Sequence, residues 1–191
     1  QNNGSISAPE GQVGLYAGQQ VLLSTRPDGR GLSARVTLPQ GSVNNQGQVI
    51  ADAGTIAMQA QVVNQGGLVQ ANSVRNVNGV IELVASDTLS VGANSVLSAQ
   101  GDASATASSA SQGGFVVVRS AKTYTDTATS AISVAGQAGG RDGVVEIVGS
   151  AVSKTSIASQ VDGQSASAFQ TAGGWLLVNP QNLILNLSGS P

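Results

Sequence analysis

A seven-residue pattern of alternating aliphatic and other positions, Gly-x-aliphatic-x-aliphatic-x-small, recurs along this chain. Alternation with a period of two residues is typical of a β-strand that buries one face. The pattern therefore predicts one such long strand at each copy. The copies are GQVGLYA (Gly11 to Ala17), GTIAMQA (Gly54 to Ala60), GVIELVA (Gly79 to Ala85), GFVVVRS (Gly114 to Ser120), GVVEIVG (Gly143 to Gly149) and GWLLVNP (Gly174 to Pro180).

A shorter strand is predicted before each long strand, and a third segment follows several of them. The short strands are GSISA (Gly4 to Ala8), GQVIA (Gly47 to Ala51), GLVQA (Gly67 to Ala71), SVLSA (Ser95 to Ala99) and AISVA (Ala131 to Ala135), with a weaker copy near Ser156 to Ser159. The third segments are QQVLLS from Gln19, QVVNQG from Gln61 and DTLSVG from Asp87. Gly, Asn and Asp between the segments favour turns. We expect the glycines before the strands, and Asn45, Asn64 and Asn76, to adopt positive φ.

The spacing of the copies predicts how the strands are arranged. The first inward aliphatic residue recurs at intervals of about 25 to 31 residues from Ile56 to Ile81 and from Val116 to Val145 to Leu176, within the range of solenoid repeats. Parallel crossovers are overwhelmingly right-handed. The predicted fold is all-β, a right-handed parallel β-helix (solenoid) of about six three-strand coils with surface insertions. Residues 1–191 are expected to form a single β-helix segment.

Two longer intervals, Val13 to Ile56 and Ile81 to Val116, predict insertions. Residues 26–45 are expected to lie outside the helix, with an extra strand or small hairpin at RVTL (Arg35 to Leu38). Residues 101–113 (GDASATASSASQG) have low sequence complexity and are predicted to be a flexible surface loop.

Composition supports a thin core that is repeated many times. The chain has 40% hydrophobic but only 3% aromatic and 9% charged residues, whereas charged residues make up roughly 25% of an ordinary soluble domain. The net charge is −2, and no basic stripe with stacking aromatic residues occurs, which argues against nucleic-acid binding. No apolar run is long enough to span a bilayer. No signal peptide opens the chain at Gln1, and we expect the sequence to be part of a longer protein.

Residue content also argues against an enzyme. The chain has no His and no Cys, so it lacks the usual general base and the commonest metal ligand. No His is present to activate a serine or threonine hydroxyl in a conventional triad. We expect no catalytic residues, no cofactor site and no metal site.

Glu82 and Glu146 are the one pair of carboxylates that needs a separate hypothesis, because parallel β-helices also serve as polysaccharide lyases and hydrolases. They occupy equivalent outward positions, and Val117 holds that position between them. Two strand spacings separate them by about 9.6 Å, a distance compatible with an inverting glycosidase. Their neighbours Val80 and Val144 supply no polar array for sugar binding, which favours two solvated glutamates.

The outward side of the long strands is apolar in the second half of the chain. Alternation points one set of side chains away from the core, and we predict a contact surface there. Two explanations remain open: an insertion (residues 101–113 or 160–172) covers the surface, or a partner binds it. The surface consists of Val80, Phe115, Val117, Val144, Trp175 and Leu177, with Val84 and Val148 on the same face.

Several segments together resemble the filamentous haemagglutinin family of bacterial two-partner-secretion exoproteins. The segment from Gly173, GGWLLVNPQNLIL, is similar to the Leu-Leu-Asp-Pro-type segment of that family. Asn-Pro-Asn motifs of the family's secretion domain are missing, and the only Asn-Pro is Asn179-Pro180, so the chain is expected to begin after that domain. The other segments that carry the resemblance are Val63 to Asp102, Ser5 to Leu23 and Gly113 to Gly140.

The resemblance implies export through an outer-membrane two-partner-secretion transporter, folding outside the cell and a place on the bacterial cell surface. It also implies adhesion, biofilm formation or a surface filament, with a host cell, a neighbouring cell or a polysaccharide as partner. We therefore expect a structural or adhesive shaft segment. The alternatives are a carbohydrate-binding or carbohydrate-processing β-helix and a self-assembling extracellular filament subunit.

Overall fold

The computed structural model describes residues 1–25, 32–106, 108–149, 155–163, 175–179 and 183–185. These residues form β-strands, turns and irregular segments, and they contain no helix. The strands, numbered in chain order, are β1 (Ser5–Ser7), β2 (Gln12–Tyr16), β3 (Gly18–Thr25), β4 (Leu32–Pro39), β5 (Ser42–Asn45), β6 (Gln48–Ile50), β7 (Thr55–Gln65), β8 (Leu68–Gln70), β9 (Val80–Val91), β10 (Val96–Ser98), β11 (Phe115–Ser120), β12 (Thr123–Thr125), β13 (Ala131–Ser133), β14 (Val144–Gly149), β15 (Thr155–Ile157), β16 (Gln160–Asp162), β17 (Trp175–Asn179) and β18 (Leu183–Leu185).

Two parallel sheets contain most of these strands. The short-strand sheet has the order β1-β6-β8-β10-β13-β16, and the long-strand sheet has the order β17-β14-β11-β9-β7-β2, with β5 beside β7 and β12 beside β9. The chain alternates between the sheets, since each strand of the short-strand sheet is followed by a strand of the long-strand sheet. The prediction of an all-β chain with parallel sheets is confirmed. β15 and β18 form a separate parallel pair, and β3 and β4 an antiparallel pair.

The register of the long-strand sheet agrees with the predicted equivalence of the repeats. The positions predicted to be the first inward ones pair in sequence, from Val13 through Ile56, Ile81, Val116 and Val145 to Leu176. The short-strand sheet contributes its own inward row of Ile6, Val49, Val69, Leu97, Ile132 and Val161. Residues of both rows belong to one hydrophobic cluster, in which most members are fully buried. Each fully buried aliphatic side chain contributes roughly 1.5–3 kcal/mol to the stability of the fold, compared with leaving it exposed.

The glycines that precede the long strands have a different role from the one expected. A Cβ atom on Gly54 would overlap the carbonyl oxygen of Gly11, and one on Gly114 would overlap that of Gly79. Only a residue without a side chain allows this close approach of successive backbones. The expectation of positive φ was wrong for these glycines and for Asn45, Asn64 and Asn76. Positive φ among the described residues occurs at Glu10, Leu38, Gly41, Ala53, Arg75, Asn94, Ala138 and Gly139.

The third predicted segments fall into two groups. Those from Gln61 and Asp87 are the second halves of β7 and β9, after a register irregularity between Ala60 and Val62. β5 and β12 pair with these halves. The segment from Gln19 instead lies in β3, and its pairing with β4 is antiparallel. The prediction of a parallel third strand at Gln19 was wrong, because alternation of aliphatic residues does not distinguish parallel from antiparallel pairing.

The extra strand expected at RVTL is present, since Arg35 to Leu38 lie in β4, but the bounds of the first insertion differ from those predicted. The antiparallel excursion begins in β3, before residue 26, and β5 at the end of the predicted range 26–45 belongs to the parallel long-strand sheet. Residues 26–31 lie outside the described residues. The described part of 101–113 contains no strand, and Ser111 within it is buried and bridges Gln137. The flexibility of this loop stays a prediction.

Candidate functional site

The predicted contact surface is arranged in two neighbouring rows of the long-strand sheet. One row runs from Val80 through Phe115 and Val144 to Trp175. The second row contains Val117 and Leu177, and both glutamates of the alternative hypothesis. The structure therefore places all six predicted residues at adjacent register positions. The side chains of Trp175 and Leu177 lie outside those that the structure describes.

Exposure is uneven across this surface. Phe115 is 42% exposed, whereas Val80, Val117 and Val144 are half-buried. An exposed aromatic ring beside aliphatic neighbours is a feature of contact surfaces. The described part of the loop 101–113 thus leaves Phe115 accessible, and the proposed cover by 160–172 falls largely outside the described residues.

The two glutamates of the hydrolase hypothesis differ in their surroundings. Glu82 and Glu146 both pair with Val117, so they stand two strands apart in one row as predicted. The guanidinium of Arg119 donates to both carboxylate oxygens of Glu146, at 3.2 and 3.1 Å. Arg119 itself lies between Val84 and Val148 in the next outward row. A carboxylate in an exposed ion pair beside valines does not form a convergent pair of acid and base groups.

A groove with a mixed polar and apolar lining lies at the amino-terminal ends of β2, β7 and β9. Its volume is about 470 Å³, within the range of small-molecule sites. The floor includes Thr55 and Val80, and the turn Val74–Val77 forms a wall. The remaining lining residues are Glu10, Gly11, Gln12, Ala53, Gly54 and Asn78.

The wall of the groove is an ordered turn. Val74 and Val77 exchange two backbone hydrogen bonds of 3.0 and 3.1 Å. Arg75 within the turn has φ of 55°, and its N–H donates to the carboxylate of Asp102 at 3.0 Å. The hydroxyl of Ser111 donates to the carbonyl oxygen of Arg75 at 3.4 Å. These contacts hold in place a backbone conformation that non-glycine residues rarely adopt.

Asp102 is the charged group near the groove whose pKa is most clearly affected by its surroundings. The hydroxyl of Ser104 donates to the carboxylate of Asp102 at 2.6 Å. This bond, together with the backbone N–H groups of Arg75 and Ser104, lowers the pKa of Asp102 from its usual value. Hydrogen bonds of this kind stabilise the ionised form. Asp102 therefore remains a carboxylate, able to accept the N–H of Arg75, over a wider range of acidic pH than an unperturbed aspartate.

Sequence reasoning missed this groove, although the lengths of two equivalent corners carry a signal for it. Ala51 and Gly54 enclose a short corner, whereas the equivalent Ala71 and Gly79 enclose a longer one. The extra residues include Val74 to Val77, which form the wall. Unequal corner lengths between equivalent Ala and Gly residues thus mark a place where one corner projects over its neighbour.

No protein-family model, curated protein or solved structure matches this chain. The described residues contain no helix that is long and apolar enough to cross a membrane. In the same part of the chain, no group of three or more His, Cys, Asp or Glu side chains could hold a metal ion.

Proposed function

We propose that this chain is a segment of right-handed parallel β-helix that serves as a structural and adhesive shaft in a large secreted bacterial surface protein. The observation that carries the proposal is the alternation of the chain between two parallel sheets, with the equivalent repeat positions paired from strand to strand. One passage through both sheets is one coil. Stacked coils would build a rod whose length grows with the number of repeats.

Packing within the stack supports a role as a shaft. Ile56, Ile81 and Val116 are fully buried in one inward row, and Val49, Val69 and Leu97 are fully buried in the facing row. Each coil therefore contributes its own aliphatic side chains to a continuous core, and each inner strand of the two sheets hydrogen-bonds to strands on both sides. Neighbour contacts of this type give a solenoid its stability without a large globular centre.

The resemblance to filamentous haemagglutinin exoproteins supplies the biological setting of the proposal. It implies an outer-membrane two-partner-secretion transporter as export partner, an extracellular location and contact with a cell surface or polysaccharide. Exposed Phe115 and its half-buried neighbours on the long-strand sheet are available for such contact. The described carboxylates form no convergent catalytic pair, and we therefore propose a non-enzymatic role.

Deletion of one complete coil tests the proposed architecture. Leu68 pairs with Val96, and Val80 lies between Thr55 and Phe115. Removal of residues 68–95 would join Gly67 to Val96, place β10 beside β6 and place β11 beside β7. We expect a cooperatively unfolding protein with a β-sheet circular dichroism spectrum and a rod about 4.8 Å shorter by small-angle X-ray scattering.

The matched control removes only part of a coil. Deletion of residues 68–78 joins Gly67 to Gly79 and eliminates β8, so β9 would follow β7 with no strand in the short-strand sheet between them. This variant should lose cooperative unfolding. The architecture is wrong if the complete-coil deletion also loses cooperative unfolding, or if both deletions are tolerated equally.

The location is tested on intact bacteria. Antibodies against this segment should label the surface of cells that carry the parent gene, and deletion of the partner transporter gene should abolish the labelling. Labelling that persists without the transporter would exclude the proposed export route, and labelling only after lysis would exclude the surface location.

A further inference from the structure

We propose that the groove between Glu10, Thr55 and the Val74–Val77 turn binds a short oligosaccharide. This proposal deepens the adhesive role and rests on the proposed function, because it names the class of ligand that the shaft would recognise. The groove crosses β2, β7 and β9, a width of about 9.6 Å for two strand spacings. That width exceeds a single pyranose ring, so the occupant would be a chain of sugars.

The chemistry of the lining fits a saccharide. A sugar ring presents hydroxyl groups at its edge and C–H groups on its faces. Glu10 supplies a carboxylate that accepts from hydroxyls, Arg75 supplies guanidinium donors, and Asn78 supplies an amide. Val77 is 43% exposed, and with Val80 it offers an apolar surface for the ring faces. Phe115 pairs with Val80 and extends this surface by one strand.

Other ligand classes fit the groove less well. A peptide that bound by strand addition would need unpaired backbone groups, but the floor strand β7 is hydrogen-bonded to both β2 and β9. A nucleic acid would need a basic surface, whereas the lining has one guanidinium and one carboxylate. Recognition must therefore come mainly from side chains that contact a ligand of low charge.

The groove is also preorganised for binding. The hydrogen bonds from Arg75 to Asp102 and from Ser111 to Arg75 fix the wall against the following coil. A wall that is already ordered loses little conformational entropy when a ligand binds. This advantage does not depend on which sugar occupies the groove.

Titration with defined oligosaccharides tests the inference on the whole chain. Cellotetraose, maltotetraose and chitotetraose, which are uncharged, would be measured by isothermal titration calorimetry and saturation-transfer NMR. We expect at least one of them to bind. The variants Val77→Asp and Glu10→Ala should each weaken that binding by about tenfold or more, the effect of losing a good contact with a charged or apolar group.

Matched control variants separate the groove from general surface effects. Val21→Asp changes a valine of similar exposure, 41%, on β3 outside the groove, and Glu82→Ala removes an outward glutamate from β9 that does not line it. Both should leave affinity within about twofold, well under the 1.4 kcal/mol that corresponds to a tenfold change. Circular dichroism and the unfolding midpoint check that each variant is folded.

Two outcomes would overturn the inference: no tetrasaccharide binds the folded chain, or the groove variants bind as well as the unaltered chain. Each of these leaves the shaft proposal standing if the complete-coil deletion still folds. That deletion removes the wall and should abolish sugar binding while the rod persists, so failure of the groove and failure of the shaft are distinguishable.

Discussion

The carboxylate of Asp102 accepts the backbone N–H of Arg75 at 3.0 Å. This bond connects the turn Val74–Val77 to the loop that leaves the sheets after β10, so two projecting corners of the fold support each other. The other oxygen of Asp102 accepts from the backbone and hydroxyl of Ser104 at 2.8 and 2.6 Å. Asp102 thus orders its own loop and the wall of the groove at once.

Substitution of Asp102 should loosen the wall without unfolding the sheets. In Asp102→Ala, the N–H of Arg75 loses its acceptor, and we expect its amide hydrogen to exchange at least about tenfold faster, as in a locally opened segment. Amides of β7 and β9 should keep their protection. Ser104→Ala is the control, because it removes a different bond to Asp102 and leaves the acceptor of Arg75 in place. Equal exchange at Arg75 in Asp102→Ala and the unaltered chain would contradict this role.

Acid should weaken the hydrogen bonds of two carboxylates, Asp87 and Asp102. The Lys122 ammonium donates to Asp87 at 2.7 Å and lowers the pKa of that carboxyl, and the Ser104 hydroxyl lowers the pKa of Asp102. A carboxyl with a lowered pKa in the folded state contributes stability above its unfolded pKa, and this stability is lost as pH falls through the folded value. The temperature midpoint of unfolding should therefore decrease as the pH is lowered below about 4.

Added salt and single substitutions distinguish the contributions of Asp87 and Asp102 to this loss of stability in acid. Added salt should reduce the contribution of the exposed Lys122–Asp87 pair and change that of Asp102 less, because hydrogen bonds from uncharged donors lower its pKa more than the charge of Arg75 does. Asp87→Asn and Asp102→Asn should each flatten the dependence of the midpoint on pH. An acid transition that is identical in both variants and in the unaltered chain would show that other groups cause it.

The sequence was informative about repeats and less so about what projects from them. Alternation around Ile56, Ile81 and Val116 predicted the register, because a slip of one residue would expose the inward row. The same alternation at Val21 misled, since an antiparallel hairpin has the same period. The groove was missed because it depends on the conformation of Arg75, which Asp102 stabilises from a distant part of the sequence.

Asn45 and Gln65 form a buried amide pair at the end of the long-strand sheet. The amide nitrogen of Asn45 donates to the side-chain oxygen of Gln65 at 2.9 Å, and both residues are almost completely buried. Asn45→Val should destabilise the fold by about 1–3 kcal/mol, because it leaves the buried side-chain oxygen of Gln65 without its donor and the amide of Asn2 without its acceptor. Denaturant unfolding monitored by circular dichroism measures this change.

The double variant Asn45→Val/Gln65→Val tests whether the cost comes from the unpaired amide. Val91 already occupies the register position next to Gln65, so the stack accepts valine in this row. We expect the double variant to be more stable than the sum of the single changes predicts, by at least about 1 kcal/mol. Strict additivity would mean that the two amides contribute independently.

Gly114 and Gly4 differ in how closely a neighbouring strand approaches them. A Cβ on Gly114 would overlap the carbonyl oxygen of Gly79, whereas a Cβ on Gly4 would have no atom within 4 Å. Gly114→Ala should therefore force the backbones of β9 and β11 apart and destabilise the fold by about 1–3 kcal/mol, the usual cost of overpacking. Gly4→Ala should change the free energy of unfolding by no more than about 0.5 kcal/mol. Denaturant midpoints of the two variants, measured under the same conditions, provide the comparison. Similar losses in both would mean that glycine is required before strands for its backbone freedom, and not for close contact between neighbouring strands.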